Sequence, residues 1–92
     1  DATPMTLGQE FSAFAHVLAL SDVRLTINLT EVYQLAQGGT AVGTGLNAPP
    51  DFAKEFASEI SALTKFDFDT APNKFEALST HDALVDFSGH LN

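Results

Sequence analysis

Cysteine is absent from this 92-residue chain, which excludes disulfides, thiolate metal sites and a cysteine nucleophile. Cations are scarce as well. Four Lys and Arg stand against twelve Asp and Glu, and the formal net charge of -8 repels a phosphate backbone and leaves no basic cluster to follow one. Nucleic acid and anionic membrane surfaces are therefore poor partners. No apolar run approaches the roughly 20 residues a spanning helix needs, and the N-terminus has no basic region followed by an apolar stretch. The chain reads as soluble, with no address. Lack of cysteine fits a reducing cytosol or mitochondrial matrix, although many secreted proteins lack it too.

What is present argues for folding or docking. Hydrophobic residues make up 45% of the chain, above what an acidic disordered tail carries, and eight Phe supply large apolar surfaces. A chain of this length makes one domain at most, with a single modest core.

Three segments repeat apolar residues at steps of three and four, which predicts an all-α chain. Thr3-Pro4 supplies a start signal, Thr as N-cap and Pro at the first helical position. Leu7, Phe11, Phe14 and Leu18 then mark one face, and Leu25, Leu29, Val32 and Ala36 resume it. Val17, Leu20, Val23 and Ile27 form a second stripe, so a helix over 4–36 is apolar on two sides and expected among other helices. Over Asp22–Thr30 the apolar residues also alternate with polar ones, the pattern of a half-buried strand. The two stripes favour helix there, bent or restarted near Thr30.

Glycines and prolines punctuate the rest. Residues 37–50 form a loop dense in Gly and closed by Pro49-Pro50. Phe52, Phe56, Ile60 and Leu63 predict a second helix over 51–65, and Asp67–Thr70 is expected to run extended. Asn73 followed by Glu76 resembles a capping box, and Phe75, Leu78, Val85 and Leu91 carry a third helix over 73–92. Size then becomes an argument. A helix over 4–36 measures about 50 Å, against roughly 30 Å for the diameter of a compact domain this long. The first helix overshoots its own domain and calls for neighbours from further sequence or from other chains.

Candidate chemistry is thin. Gly43-Thr44-Gly45 with Ala48 stretches to a nucleotide-type glycine motif, but no strand precedes it, Pro49-Pro50 interrupts the helix that should follow, and no Lys-Ser or Lys-Thr is present. A tight connection between helices is the stronger reading. His16, His81 and His90 are the only imidazoles. His81 and Asp82 are adjacent and project to different parts of a helix surface, so they form no dyad. His16, beside Val17, reads as a packed or interfacial residue, and no metal site is expected because His81 has no Met, Cys or second His four residues away. Glu55 and Glu59 have that spacing but read as a solvated face. Ser12, Ser21, Ser58, Ser61, Ser79 and Ser88 fall in helices, with none on a strained turn beside a His. Asn28-Leu29-Thr30 matches a glycosylation sequon inside a regular element and reads as chance.

Three stretches in order resemble class II fumarases: Asp1-Ala2-Thr3-Pro4-Met5-Thr6-Leu7-Gly8-Gln9-Glu10-Phe11, then Gly38 to Asn47, then Thr70-Ala71-Pro72-Asn73-Lys74-Phe75-Glu76-Ala77-Leu78 with His81-Asp82-Ala83-Leu84. Aspartases share the glycine loop in altered form, yet their third stretch differs. Asp67 and Asp69 depart from the usual apolar or neutral residues, and Asp51 stands where Gly is frequent. The resemblance implies a long-helix bundle segment of the fumarase/aspartase central domain, three main helices joined by the Gly-rich loop. It also implies a homotetramer with active sites where several chains meet, and reversible hydration of fumarate to L-malate without metal or cofactor. The family's Thr-His pair falls before Asp1, and its serine loop with the substrate-holding Lys and Asn falls after Asn92. No catalytic, substrate-binding or metal-binding residue carries over, and Asn73 and Lys74 are expected only as neighbours of the pocket. The expected function is a segment that supplies bundle and subunit-interface structure and is inactive alone. The alternative is a free-standing helical module that self-associates, with no nucleic acid or membrane partner in either case and a cytoplasmic or mitochondrial matrix location.

Overall fold

The computed structural model describes residues 2–92, so Asp1, which opens the first quoted stretch, lies outside the described residues. Thr6 starts the first helix, α1 (Leu7–Val32): its hydroxyl accepts from the Gln9 amide at 3.1 Å while the Gln9 side chain accepts from the Thr6 amide at 2.9 Å. This reciprocal capping box moves the start from the expected Thr3 to Thr6, because only Thr6 has a Gln three residues on. Helix runs unbroken through Asp22–Thr30, so the strand alternative does not occur. It ends at Val32 and not at Ala36, since the chain turns at Tyr33 into β1 (Gln34–Leu35).

The second helix, α2 (Phe52–Thr64), follows the glycine loop, and β2 (Asp69–Thr70) pairs with β1 in parallel, Gln34 beside Asp69 and Leu35 beside Thr70. The bridge is closed by the Asp69 amide donating to Tyr33 O at 3.0 Å and the Ala71 amide donating to Leu35 O at 2.9 Å. Tyr33 stacks on Phe66 at 5.9 Å and meets Phe68 edge-on at 5.0 Å, fastening the end of α1 to the turn after α2. Ser61 does more than decorate the surface: its hydroxyl donates to Ala57 O and accepts from the Phe68 amide at 2.9 Å, tying α2 to the same turn.

The third expected helix is two. Asn73 accepts from the Glu76 amide at 3.0 Å and starts α3 (Lys74–Ser79), and α4 (Asp82–Leu91) begins after His81. Thr80 is extended at the break, with φ -127° and ψ 159°. Its hydroxyl donates to the Glu76 carboxylate at 2.9 Å and Ser79 Oγ donates to Glu76 O at 3.2 Å, so side chains compete for groups the helix would use. Glu76 thus bonds forward to Thr80 instead of completing the expected capping box with Asn73.

Helix α4 runs back along α1. Asp82 and Leu84 lie by Glu31 and Val32, Asp86 bonds Asn28, and His90 shares a cleft with Arg24. Leu7, Phe11, Phe14 and Leu18 continue the face that α4 covers over Leu25–Val32, but nothing covers them: Leu7, Phe11 and Leu18 are 66%, 61% and 70% exposed. The only buried apolar residues among those described are Ala57 and Ala71. The molecule measures 68 × 27 × 15 Å with a radius of gyration of 19.6 Å, against about 12 Å for a compact chain of this length.

Candidate functional site

The turn at Thr80 splays α3 from α4 and opens a cleft of about 420 Å³ against the end of α1, lined by Glu31, Val32, Gln34, Ala71, Glu76, Ala77, Thr80, His81, Asp82, Ala83 and Leu84. Its charged groups are three carboxylates, with His81 the only residue able to become cationic. Such a wall repels a dicarboxylate. Among the described residues no group of His, Asp and Glu converges to hold a metal. The first turn of α3 is occupied by its own Asn73 cap, while the first turn of α4, which lines the cleft without a side-chain cap, carries the Asp82 carboxylate.

Asn73 and Lys74, the two expected pocket neighbours, are committed elsewhere. Asn73 Oδ1 caps α3, and Lys74 Nζ donates to Thr70 Oγ1 and, at 2.6 Å, to Ala71 O. Neither lines the cleft. Partial burial lowers the Lys74 pKa below the ordinary lysine value, with the nearby Asp69 carboxylate pulling the other way. Lys74 therefore acts as a clasp that holds β2 to the start of α3.

The remaining candidates separate in the same manner. His16 is exposed on the uncovered half of α1, His81 precedes α4 without capping it, and His90 Nε2 lies 3.4 Å from Asp86 Oδ2. Ser12, Ser21 and Ser79 donate to carbonyls of their own helices. The glycine loop packs against helices instead of a ligand. At Gly38 (φ +95°) an added Cβ would lie 2.6 Å from the Ala53 Cβ, and at Gly43 (φ +106°) 2.7 Å from the Phe75 ring. Both positions need left-handed backbone and close approach, which only Gly supplies.

Asn28 was missed by sequence reasoning. It is 5% exposed and its Nδ2 donates to Asp86 Oδ2 at 2.9 Å, while its Oδ1 has no partner. This burial removes it as a glycosylation acceptor in the folded chain. Its place on the Ser21–Leu25–Val32 face was a usable signal, since a polar residue on an apolar face needs a partner across it.

The chain matches the family model described as Lyase over residues 1–92. It is 58% identical over 92 residues to the class II fumarate hydratase of Brucella suis and 55% identical over 92 residues to the mitochondrial fumarate hydratase of Dictyostelium discoideum. Each alignment covers all of this chain, and 20% and 19% of those proteins respectively. The chain thus spans about a fifth of the length of the curated relatives it matches. The crystal structure of a recombinant class II fumarase from Schistosoma mansoni superposes with a TM-score of 0.92 at 37% identity, covering 98% of this chain and 22% of that one.

Proposed function

The chain belongs to the lyase family whose model it matches from end to end, and from that premise we propose that it is a structural segment of a class II fumarase, an enzyme that reversibly hydrates fumarate to L-malate. In this reading it supplies bundle helices and subunit contacts to a homo-oligomer, a tetramer in the complete enzyme, and is inactive alone. The observation that carries the reading is the bare apolar stripe of α1, which continues the face α4 covers and has no cover of its own. The acidic cleft supports the inactivity, because Glu31, Glu76 and Asp82 line it without a Lys or Arg to oppose a dianionic substrate and its more highly charged intermediate. Asn73 and Lys74 stand near the pocket of the assembled enzyme, behind the groups that touch substrate. No cofactor is required, and the location is the cytosol or the mitochondrial matrix, as the bacterial and mitochondrial relatives suggest.

A replacement tests this. The corresponding fifth of the Brucella suis class II fumarate hydratase is exchanged for this chain, and hydration of fumarate is followed by absorbance for the exchange protein and for the 92-residue chain alone. The exchange protein is expected to retain activity within about tenfold, and the chain alone to stay at background. An inactive but folded exchange protein, or a chain that turns over within tenfold of the intact enzyme, would contradict the proposal.

A further inference from the structure

We infer that a second copy of this chain docks on the uncovered half of α1 in an antiparallel register centred on Val17, pairing Glu10 of each copy with Arg24 of the other. The inference rests on the self-association reading above and assigns the partner and its register to the second apolar face of α1, turned about 90° from the Leu7–Phe11–Leu18 stripe and sharing Phe14 with it.

Residues seven apart on an α-helix return to the same face within roughly 20°. Glu10, Val17 and Arg24 are so spaced, and form one line along α1. Between Glu10 and Asp22 the helix holds no Asp, Glu, Lys or Arg, and His16 is turned about 100° from Val17. Phe14, Val17 and Leu20 on this interval are 59%, 59% and 41% exposed. A twofold axis through Val17 sets Val17 on its own copy, Phe14 on Leu20, and Glu10 on Arg24 twice over.

Competing arrangements fail on charge or space. A parallel in-register pair would set Glu10 on Glu10, Asp22 on Asp22 and Arg24 on Arg24, with like charges opposed at each. A pairing centred further along α1 meets α4, which already lies against Asn28 and the end of the helix. Among the described residues neither Glu10 nor Arg24 has an ion-pair partner within the chain; the single pair, His90 with Asp86, borders the same cleft as Arg24 and leaves it free. Two exposed charges of opposite sign lie at equal distances on either side of Val17, and Asp22, the one other Asp, Glu, Lys or Arg between them, is turned about 140° from Val17, so this face is complementary to itself. Helix axes about 8–10 Å apart bring facing Cα atoms to about 3.4–5.4 Å, the upper part of which overlaps the span of a disulfide.

Sedimentation equilibrium of the 92-residue chain measures the register by charge reversal. Glu10→Arg and Arg24→Glu each replace two attractive pairs by two repulsive ones and are expected to weaken association about tenfold or more at low salt. The double variant restores both pairs and is expected to associate within about threefold of the parent. Because the chain has no cysteine, a single Val17→Cys should cross-link to its own copy under mild oxidant at least about tenfold faster than Ile27→Cys, whose facing residue is Leu7. Circular dichroism reports whether each variant keeps its helix. A parent chain that associates while both single reversals leave its affinity unchanged, or a double variant no better than the singles, or equal cross-linking rates, would overturn the register alone. A parent that stays monomeric would overturn the self-association reading beneath it.

Discussion

Asn28 and Asp86 hold a polar contact across the α1–α4 seam, and its energetics are set by burial. The Asn28 amide donates at 2.9 Å from a residue that is 5% exposed, so removing the acceptor leaves a buried donor unpaired. Asp86→Ala should destabilise the fold by about 1–3 kcal/mol, read as a lower midpoint in thermal melting followed by circular dichroism. Gly43→Ala should cost about 2 kcal/mol or more in the same measurement, since it combines positive φ with a Cβ 3.0 Å from the Phe75 amide nitrogen. Lys74 gives a pH dependence. Burial lowers its pKa in the fold, so between that value and the ordinary lysine value the unfolded chain binds more protons. Stability contributed by this group therefore rises with pH through that window, and Lys74→Met should flatten the rise in melting temperature on the alkaline side. Of these residues the sequence revealed the glycines by their density and marked Asn28 only as a polar residue on an apolar face, its partner Asp86 lying across the seam, while Lys74 folds back on Thr70 and Ala71 without a motif that announces it.

At the scale of elements, local chemistry explains both what was legible and what was not. The Phe11–Phe14–Leu18 periodicity specifies α1, and the Thr6–Gln9 box fixes its start at the position where both reciprocal bonds form. Thr6→Ala should remove about 1 kcal/mol and speed amide exchange in the first turn of α1, with little change at its far end. The alternation over Asp22–Thr30 could not be separated from a strand by pattern alone, and the helix wins because it presents Leu25, Asn28 and Val32 together to α4. The end of α1 at Val32 was hidden for the opposite reason. It is set by the Tyr33 contacts with Phe66 and Phe68 and by the β1–β2 bridge, which join residues more than thirty apart. The break at Thr80 was hidden because a Ser-Thr pair interrupts a helix only where its hydroxyls find local acceptors.

For the whole molecule, the geometry and the apolar surface tell one story. A helix of 26 residues is about 39 Å long, and α4 covers only its final turns. The result is a rod 68 Å in its longest dimension whose large apolar side chains are mostly exposed, with no large side chain fully buried among the described residues. Burying a Leu, Val or Phe side chain contributes about 1.5–3 kcal/mol, so the four residues of the bare stripe represent an amount comparable to the net stability of a small domain. A bundle segment has this shape, and the chain spans about a fifth of the length of the class II fumarase relatives it matches.

The most direct test of the central claim is light scattering of the 92-residue chain across a dilution series, paired with thermal melting at each concentration. If α1 closes its apolar face only against other chains, the mass should correspond to an oligomer at tens of micromolar, and both the mass and the melting temperature should fall together on dilution. A monomer at low micromolar concentration whose cooperative melting does not shift with dilution would contradict the account, because it would show that the chain covers its own stripe.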